Sequence, residues 1–278
     1  MSNLATTIEQ EVTAAVQADA LELPTLPEVA LRIRDEAERE TATAQSLGDV
    51  IAEDPALSAR IIKMANSPMF RGTRTIEDLS MALSRLGVEY SANLATGLAM
   101  SQMFQATTDL IDKRLRSTWA HATELAAISG VLAKSFTRLR ADQAALAGLT
   151  HTIGVLPILT WAEENGSLLS DSLTLDKVID SIHGSLGTMI LQSWDFPEEI
   201  AMVPCQYTNF ERAAKATDYV DVVMVANLQS LSGTDHPYTK MNWSEIGAFD
   251  RLGLDPDPQA GDMEDLEEDF QAAMDAFA

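Results

Sequence analysis

With 278 residues, 46% of them hydrophobic, the chain carries enough apolar side chain for one large core or two smaller ones. Forty-two Asp and Glu against nineteen Lys and Arg leave a formal net charge of -23, which repels phosphate backbones and anionic lipid, and the basic pairs Arg32/Arg34 and Arg138/Arg140 are too small to reverse it. Neither a nucleic acid nor a membrane is expected as a partner; a single cysteine, no basic-then-apolar leader and no run of about 18 apolar residues point to a cytoplasmic protein without internal disulfides.

Periodicity is helical almost throughout, which predicts an all-α fold. Near the N-terminus Leu4, Ile8, Val12 and Ala15 share one helical face, expected to pack on the chain itself. In 27–40, Pro27 suits a first helical position, and Ala30, Ile33 and Ala37 follow at spacings of three and four. Asp54-Pro55 is a cap with a first-turn proline ahead of the stripe Leu57, Ile61, Ile62 and Ala65, and Ser67-Pro68 ends it. Thr75 and Asp78 have capping-box spacing before Leu79, Ala82, Leu83 and Leu86, with Gly87 as the stop.

Longer, alanine-rich helices are expected at roughly 89–106 and 110–136, and another at 141–151, with helix resuming around Trp161 until Asn165-Gly166 breaks it. Further helices are expected at 174–194, at 197–205 with Pro197 at the start, and at 217–230; Cys205 reads as a small buried apolar side chain. No repeat of 20–50 residues suggests a solenoid. Residues 233–262, rich in Gly, Pro, Asp and Asn, read as irregular, and Asp255 and Asp257 lack the following glycine and glutamate of a calcium loop. The acidic segment Asp262 to Ala278 places Met263, Leu266, Phe270 and Met274 at helical spacing, an amphipathic helix expected to dock on its own domain.

Three stretches carry a resemblance: Leu-Pro-Thr-Leu-Pro-Glu-Val-Ala at 23–30, Ile-Ala-Glu-Asp-Pro-Ala-Leu-Ser-Ala-Arg-Ile-Ile-Lys-Met-Ala-Asn-Ser at 51–67, and Ile-Glu-Asp-Leu-Ser-Met-Ala-Leu-Ser-Arg-Leu-Gly at 76–87. Over roughly 20–230 the chain resembles the HDOD family, bacterial signalling domains related to the HD-type metal-dependent phosphohydrolases. The resemblance implies a multi-helical fold: an N-terminal helical lobe (1–107) packed on a degenerate HD-like lobe (108–232), then the irregular acidic segment 233–278. Leu26-Pro27 and Asn66-Ser67, characteristic of the family, are assigned to architecture, since proline starts helices and asparagine and serine end them.

The resemblance also implies site positions. His121 sits where an active HD enzyme has its first ligand histidine, and His151 matches the histidine of the His-Asp dyad, but Thr152 replaces the aspartate. His183 resembles the next histidine; Gln206 and Tyr207 stand where many relatives show a histidine pair, and Asn227 stands for the closing aspartate. Hydrolytic metals need anionic ligands, an open coordination position and a lowered water pKa, so two lost carboxylates argue against a dinuclear site.

Three imidazoles with water can still hold zinc, although each also has a plainer role as a buried group bonded to a backbone carbonyl. His121, four before Leu125 and seven before Ile128, is expected to face the apolar interior, and His236 to be a loop residue. No Gly-x-Ser-x-Gly elbow is present, and Gly184-Ser185-Leu186-Gly187 lacks the lysine and length of a phosphate loop.

These features lead to the expectation of a pseudo-enzyme: a non-catalytic signalling or regulatory module with no catalytic residue and no cofactor, acting on an unidentified signalling protein, with input and output supplied by separate chains. One alternative is a residual phosphohydrolase or phosphodiesterase using a single divalent transition metal on His121, His151 and His183. The other is a nucleotide-binding sensor, for which Arg116, Lys134 and Arg138 are the candidate cations. The oligomeric state is left open.

Overall fold

The computed structural model describes residues 2–18, 21–70, 74–106, 108–165, 171–257 and 266–277, and these form helices without strands. In chain order the first half comprises α1 (Ser2–Gln17), α2 (Glu28–Ala37), α3 (Ala44–Ile51), α4 (Pro55–Ala65), α5 (Leu79–Leu86) and α6 (Val88–Ala99), the last prolonged by a 3-10 turn at Met100–Met103. Then come α7 (Asp109–Phe136), α8 (Ala141–Thr150), α9 (Val155–Glu164), α10 (Ser172–Ser193), α11 (Glu198–Ala201), α12 (Val203–Gln206), α13 (Tyr219–Ser230), α14 (Gly247–Leu252) and α15 (Glu267–Phe277).

Local chemistry explains most boundaries. Asp54 accepts from Ala56 N and Leu57 N ahead of Pro55, and Leu57, Ile61, Met64 and Ala65 bury the inner face of α4. The cap of α5 differs from the Thr75–Asp78 box: Asp78 is itself the N-cap and accepts from Met81 N at 2.8 Å. Helix α3 was not anticipated, because its capping box pairs Thr43 with Ser46 rather than with a glutamate or glutamine. The helix expected at 197–205 is two short pieces, since Pro204 has no N–H to give the carbonyl of Ile200 four residues earlier.

Asn66 has the architectural role assigned to it. Its amide donates to Ile62 O (3.1 Å) and Ile76 O (2.7 Å) and accepts from Ile76 N (2.8 Å), so one side chain clamps the start of α5's approach to the end of α4. Helix α6 packs on α2 and on α8, which joins the first half of the chain to the second. A second joint uses Arg34 on α2, which donates to Trp194 O (2.6 Å) and Asp195 O (3.2 Å) and lies over the Phe196 ring, while Trp194 Nε1 donates to Pro24 O (3.0 Å).

Both ends of the chain pack on the body. Ile8, Val12 and Val16 are buried as α1 lies along α10, and Phe270, Ala273 and Phe277 are buried as α15 docks on α7 and α4. Met263 and Gly166 lie outside the described residues.

The segment expected to be irregular instead holds 3-10 turns at Pro237–Lys240 and Trp243–Glu245, followed by α14. Their local propensity is weak; tertiary anchors hold them, namely stacked, buried Trp243 and Phe249 (ring centroids 5.7 Å apart) and the Arg251 guanidinium. Arg251 donates twice to Asp221 of α13 at 2.7 Å, and Arg212 donates to the same fully buried carboxylate.

Although broken by Asp142, Gln143, Thr150, His151 and Thr152, Ala141–Glu164 is long and apolar enough by composition to cross a membrane. Nearly all of it is buried inside the molecule, where α8 and α9 form the centre of the core. Cys205 is only partly buried, and its thiol donates to Met202 O at 3.3 Å.

Candidate functional site

Helices α7 and α8 pair more extensively than any other two elements, and small residues make that possible. A Cβ on Gly148 would lie 2.7 Å from Ala126 Cα, so glycine is what lets the end of α8 press onto α7. The approach brings His151 beside His121, with ring centroids 5.4 Å apart. The turn 151–154 then meets α10 as closely: a Cβ on Gly154 would lie 1.9 Å from His183 O. Tyr207, just after α12, completes the group, its ring edge-to-face with His151 at 4.9 Å and with His183 at 5.9 Å.

Each imidazole has a defined state. His151 is fully buried, and its Nδ1–H donates to Gly148 O at 2.6 Å. That fixes the proton on Nδ1 and leaves a lone pair on Nε2, which has no hydrogen-bond partner. Burial, reinforced by the neighbouring His121 and His183, holds His151 well below the ordinary imidazole range. His183 repeats the pattern, donating Nδ1–H to Ile179 O at 2.7 Å, but its Nε2 accepts the Tyr207 hydroxyl at 3.0 Å. Burial lowers His183 as well, and it pushes the Tyr207 phenol up.

The remaining predicted positions divide. Asn227 on α13 is 4% exposed and acts on the His121 ring so as to raise its pKa, and Thr152 is buried with its hydroxyl unpartnered. Gln206 turns outward, accepting from Asn209 Nδ2 at 3.1 Å. His121 does not face the apolar interior: its side chain is 34% exposed at the rim, with Nδ1 4.0 Å from Glu124, and burial of the remainder lowers its pKa.

Sequence reading missed the rest of the rim. His236 caps its 3-10 turn, accepting from Tyr238 N at 3.3 Å, and lies close enough for its charge to be felt at His121. Asp180 acts on His183 in the opposite sense, raising it against the lowering by burial, and Tyr238 raises Tyr207. No spacing rule links 180, 236 and 238 to the histidines, so only the fold could bring them in.

A divalent metal does not fit this donor set. Thr152 and Asn227 offer neutral oxygens where carboxylates are needed, and the Tyr207 ring packs against both His151 and His183. Among the described residues no group of three or more His, Cys, Asp or Glu is disposed to hold a metal ion.

The candidate cations for a nucleotide do not converge either. Lys134 is 13 residues along α7 from His121, about 20 Å at 1.5 Å per residue, and donates to Met69 O. Arg138 lies beyond the end of α7, and Arg116 is tied to Asp112 at 2.5 Å.

An all-helical body with an HD-like histidine cluster depleted of carboxylates defines a class, the helical domains related to HD phosphohydrolases. The sequence pattern of the HDOD domain matches residues 23–209, and the chain belongs to the HDOD family, whose domains are often found in signalling proteins. A structure from Shewanella amazonensis SB2B named "Putative metal-dependent phosphohydrolase" is similar over 100% of both chains, with a TM-score of 0.88 and 26% identity. An HDOD domain protein of unknown function from Geobacter sulfurreducens shares the fold at a TM-score of 0.64 and 19% identity, over 100% of this chain and 99% of its own. An uncharacterized protein from Treponema pallidum (strain Nichols) is 24% identical over 254 residues, covering 85% of this chain; the chain spans 48% of that relative's length.

Proposed function

We propose that the chain is a non-catalytic regulatory module of bacterial signal transduction, working in the cytoplasm by presenting helical surfaces to a protein partner. One observation carries this reading: at the centre of the HD-like cluster the imidazoles are held neutral by burial and bonded to backbone carbonyls and a tyrosine, with Thr152 and Asn227 in the carboxylate positions. Membership of a family common in signalling proteins supports it. The net charge of -23 favours a partner with a basic face and an association rate that falls as salt is added.

The test is elemental analysis of untagged protein purified without chelators, with His151→Ala as control and a phosphodiester such as bis-p-nitrophenyl phosphate as substrate. The expected result is less than about a tenth of an equivalent of any transition metal in both proteins, before and after reconstitution with zinc, manganese or iron, and no turnover. Near one equivalent, lost with turnover in His151→Ala, would replace this reading with the hydrolase built on His121, His151 and His183. Thermal stabilisation by a nucleotide without product would replace it with a sensor.

A further inference from the structure

His151 and His183 share one presetting of tautomer and ring orientation. Each gives its Nδ1–H to a backbone carbonyl of its own helical segment, Gly148 O and Ile179 O, and each therefore carries its lone pair on Nε2. Proteins use this arrangement to fix an imidazole for a metal, since the outer hydrogen bond sets both tautomer and ring orientation. At His183 the lone pair meets the Tyr207 hydroxyl at 3.0 Å. At His151 it is buried against the Tyr207 ring with no partner at all, although buried polar atoms are ordinarily paired. The Tyr207 ring packs edge-to-face against both imidazoles, with centroids 4.9 Å from His151 and 5.9 Å from His183.

We propose that Tyr207 is a lock on a latent transition-metal site formed by His151 and His183, its ring filling the ion's space and its O–H taking the place of the electron-pair acceptor at His183. The site takes two of the HD-type histidine positions and uses neither Thr152 nor Asn227. Imidazole pairs select borderline ions such as Zn(II), Co(II), Ni(II) and Cu(II) over Mg(II) or Ca(II). The proposal rests on the reading that the native chain holds no metal.

The experiment titrates wild type, Tyr207→Phe, Tyr207→Ala and Tyr207→His with Co(II), followed by its visible absorption, and with Zn(II), followed by calorimetry. Wild type and Tyr207→Phe, which keeps the ring, are expected to show no site. Tyr207→Ala and Tyr207→His are expected to bind one equivalent at least about tenfold more tightly than wild type, and adding His151→Ala or His183→Ala is expected to abolish it. A folded Tyr207→Ala or Tyr207→His that binds no better than wild type, or whose binding survives loss of His151, overturns the lock. If neither variant folds alone, recovery of the helical circular dichroism on adding Zn(II) supports the proposal, and no recovery overturns it. One equivalent on wild type, lost with His151, instead overturns the underlying metal-free reading, so the two failures are told apart.

Discussion

Tyr207 and the histidines around it set the energetics of the centre of the molecule. Tyr207→Phe keeps the ring contacts but removes the hydroxyl that donates to His183 Nε2, the one donor to it among the described residues, and should destabilise the fold by about 1–3 kcal/mol. Urea unfolding checks this: the midpoint falls while the slope is unchanged. The pH dependence follows from the direction of the histidine shifts. Burial keeps His151 and His183 neutral in the fold, whereas in the unfolded chain they take up protons near the ordinary value of 6.5. The unfolded state then binds more protons below that pH. Stability is complete above about 6.5 and declines as the pH falls, by up to about 1.4 kcal/mol per pH unit for each histidine that stays neutral. Glu124 and Asp180, whose carboxyls are raised by burial, act in the opposite sense. Melts at pH 7.5, 6.5 and 5.5 test the slope, which should shrink by one histidine's share in His183→Asn.

Among the helices, close approach and a buried ion cluster decide the fold's tolerance. Gly154→Ala drives a methyl into His183 O, a backbone atom that cannot swing aside, so the 151–154 turn must separate from α10. A loss above about 3 kcal/mol, or failure to fold, is expected in equilibrium unfolding. Arg251→Met leaves the fully buried Asp221 with Arg212 alone and should destabilise by about 3 kcal/mol, with α14 and the preceding turns losing hydrogen-exchange protection first.

These elements also mark what was legible beforehand. The apolar stripes of α2, α4 and α5 and the stop at Gly87 could be read from spacing and caps alone. Helix α3 and the turns before α14 could not, because their stability comes from a serine capping box in one case and from Arg251, Trp243 and Phe249 in the other. At the site, His121, His151, His183 and Asn227 were legible as family positions. That Tyr207 turns inward while Gln206 turns outward is set by the short helix α12 and its proline, which no periodicity reports.

At the scale of the whole molecule, charge and core oppose one another. A net charge of -23 on one compact chain is self-repulsive, and the ion pairs with the least exposure gather around Asp221 rather than spreading over the surface. Raising sodium chloride from about 20 mM to about 500 mM shortens the screening length several-fold, so the melting temperature should rise with salt. A flat or falling curve would mean that the exposed pairs, such as Arg32 with Glu53, outweigh the repulsion.

The unpartnered His151 lone pair bears on which substitutions the centre accepts as well as on its energy. In this chain a lone Thr152→Asp change would place a carboxylate in a buried position while the tyrosine still fills the neighbouring space, and an uncompensated buried charge destabilises by several kcal/mol. The buried centre therefore penalises a new charge at this position, and a phenol ring packed on His151 closes the space beside the one unpaired imidazole nitrogen.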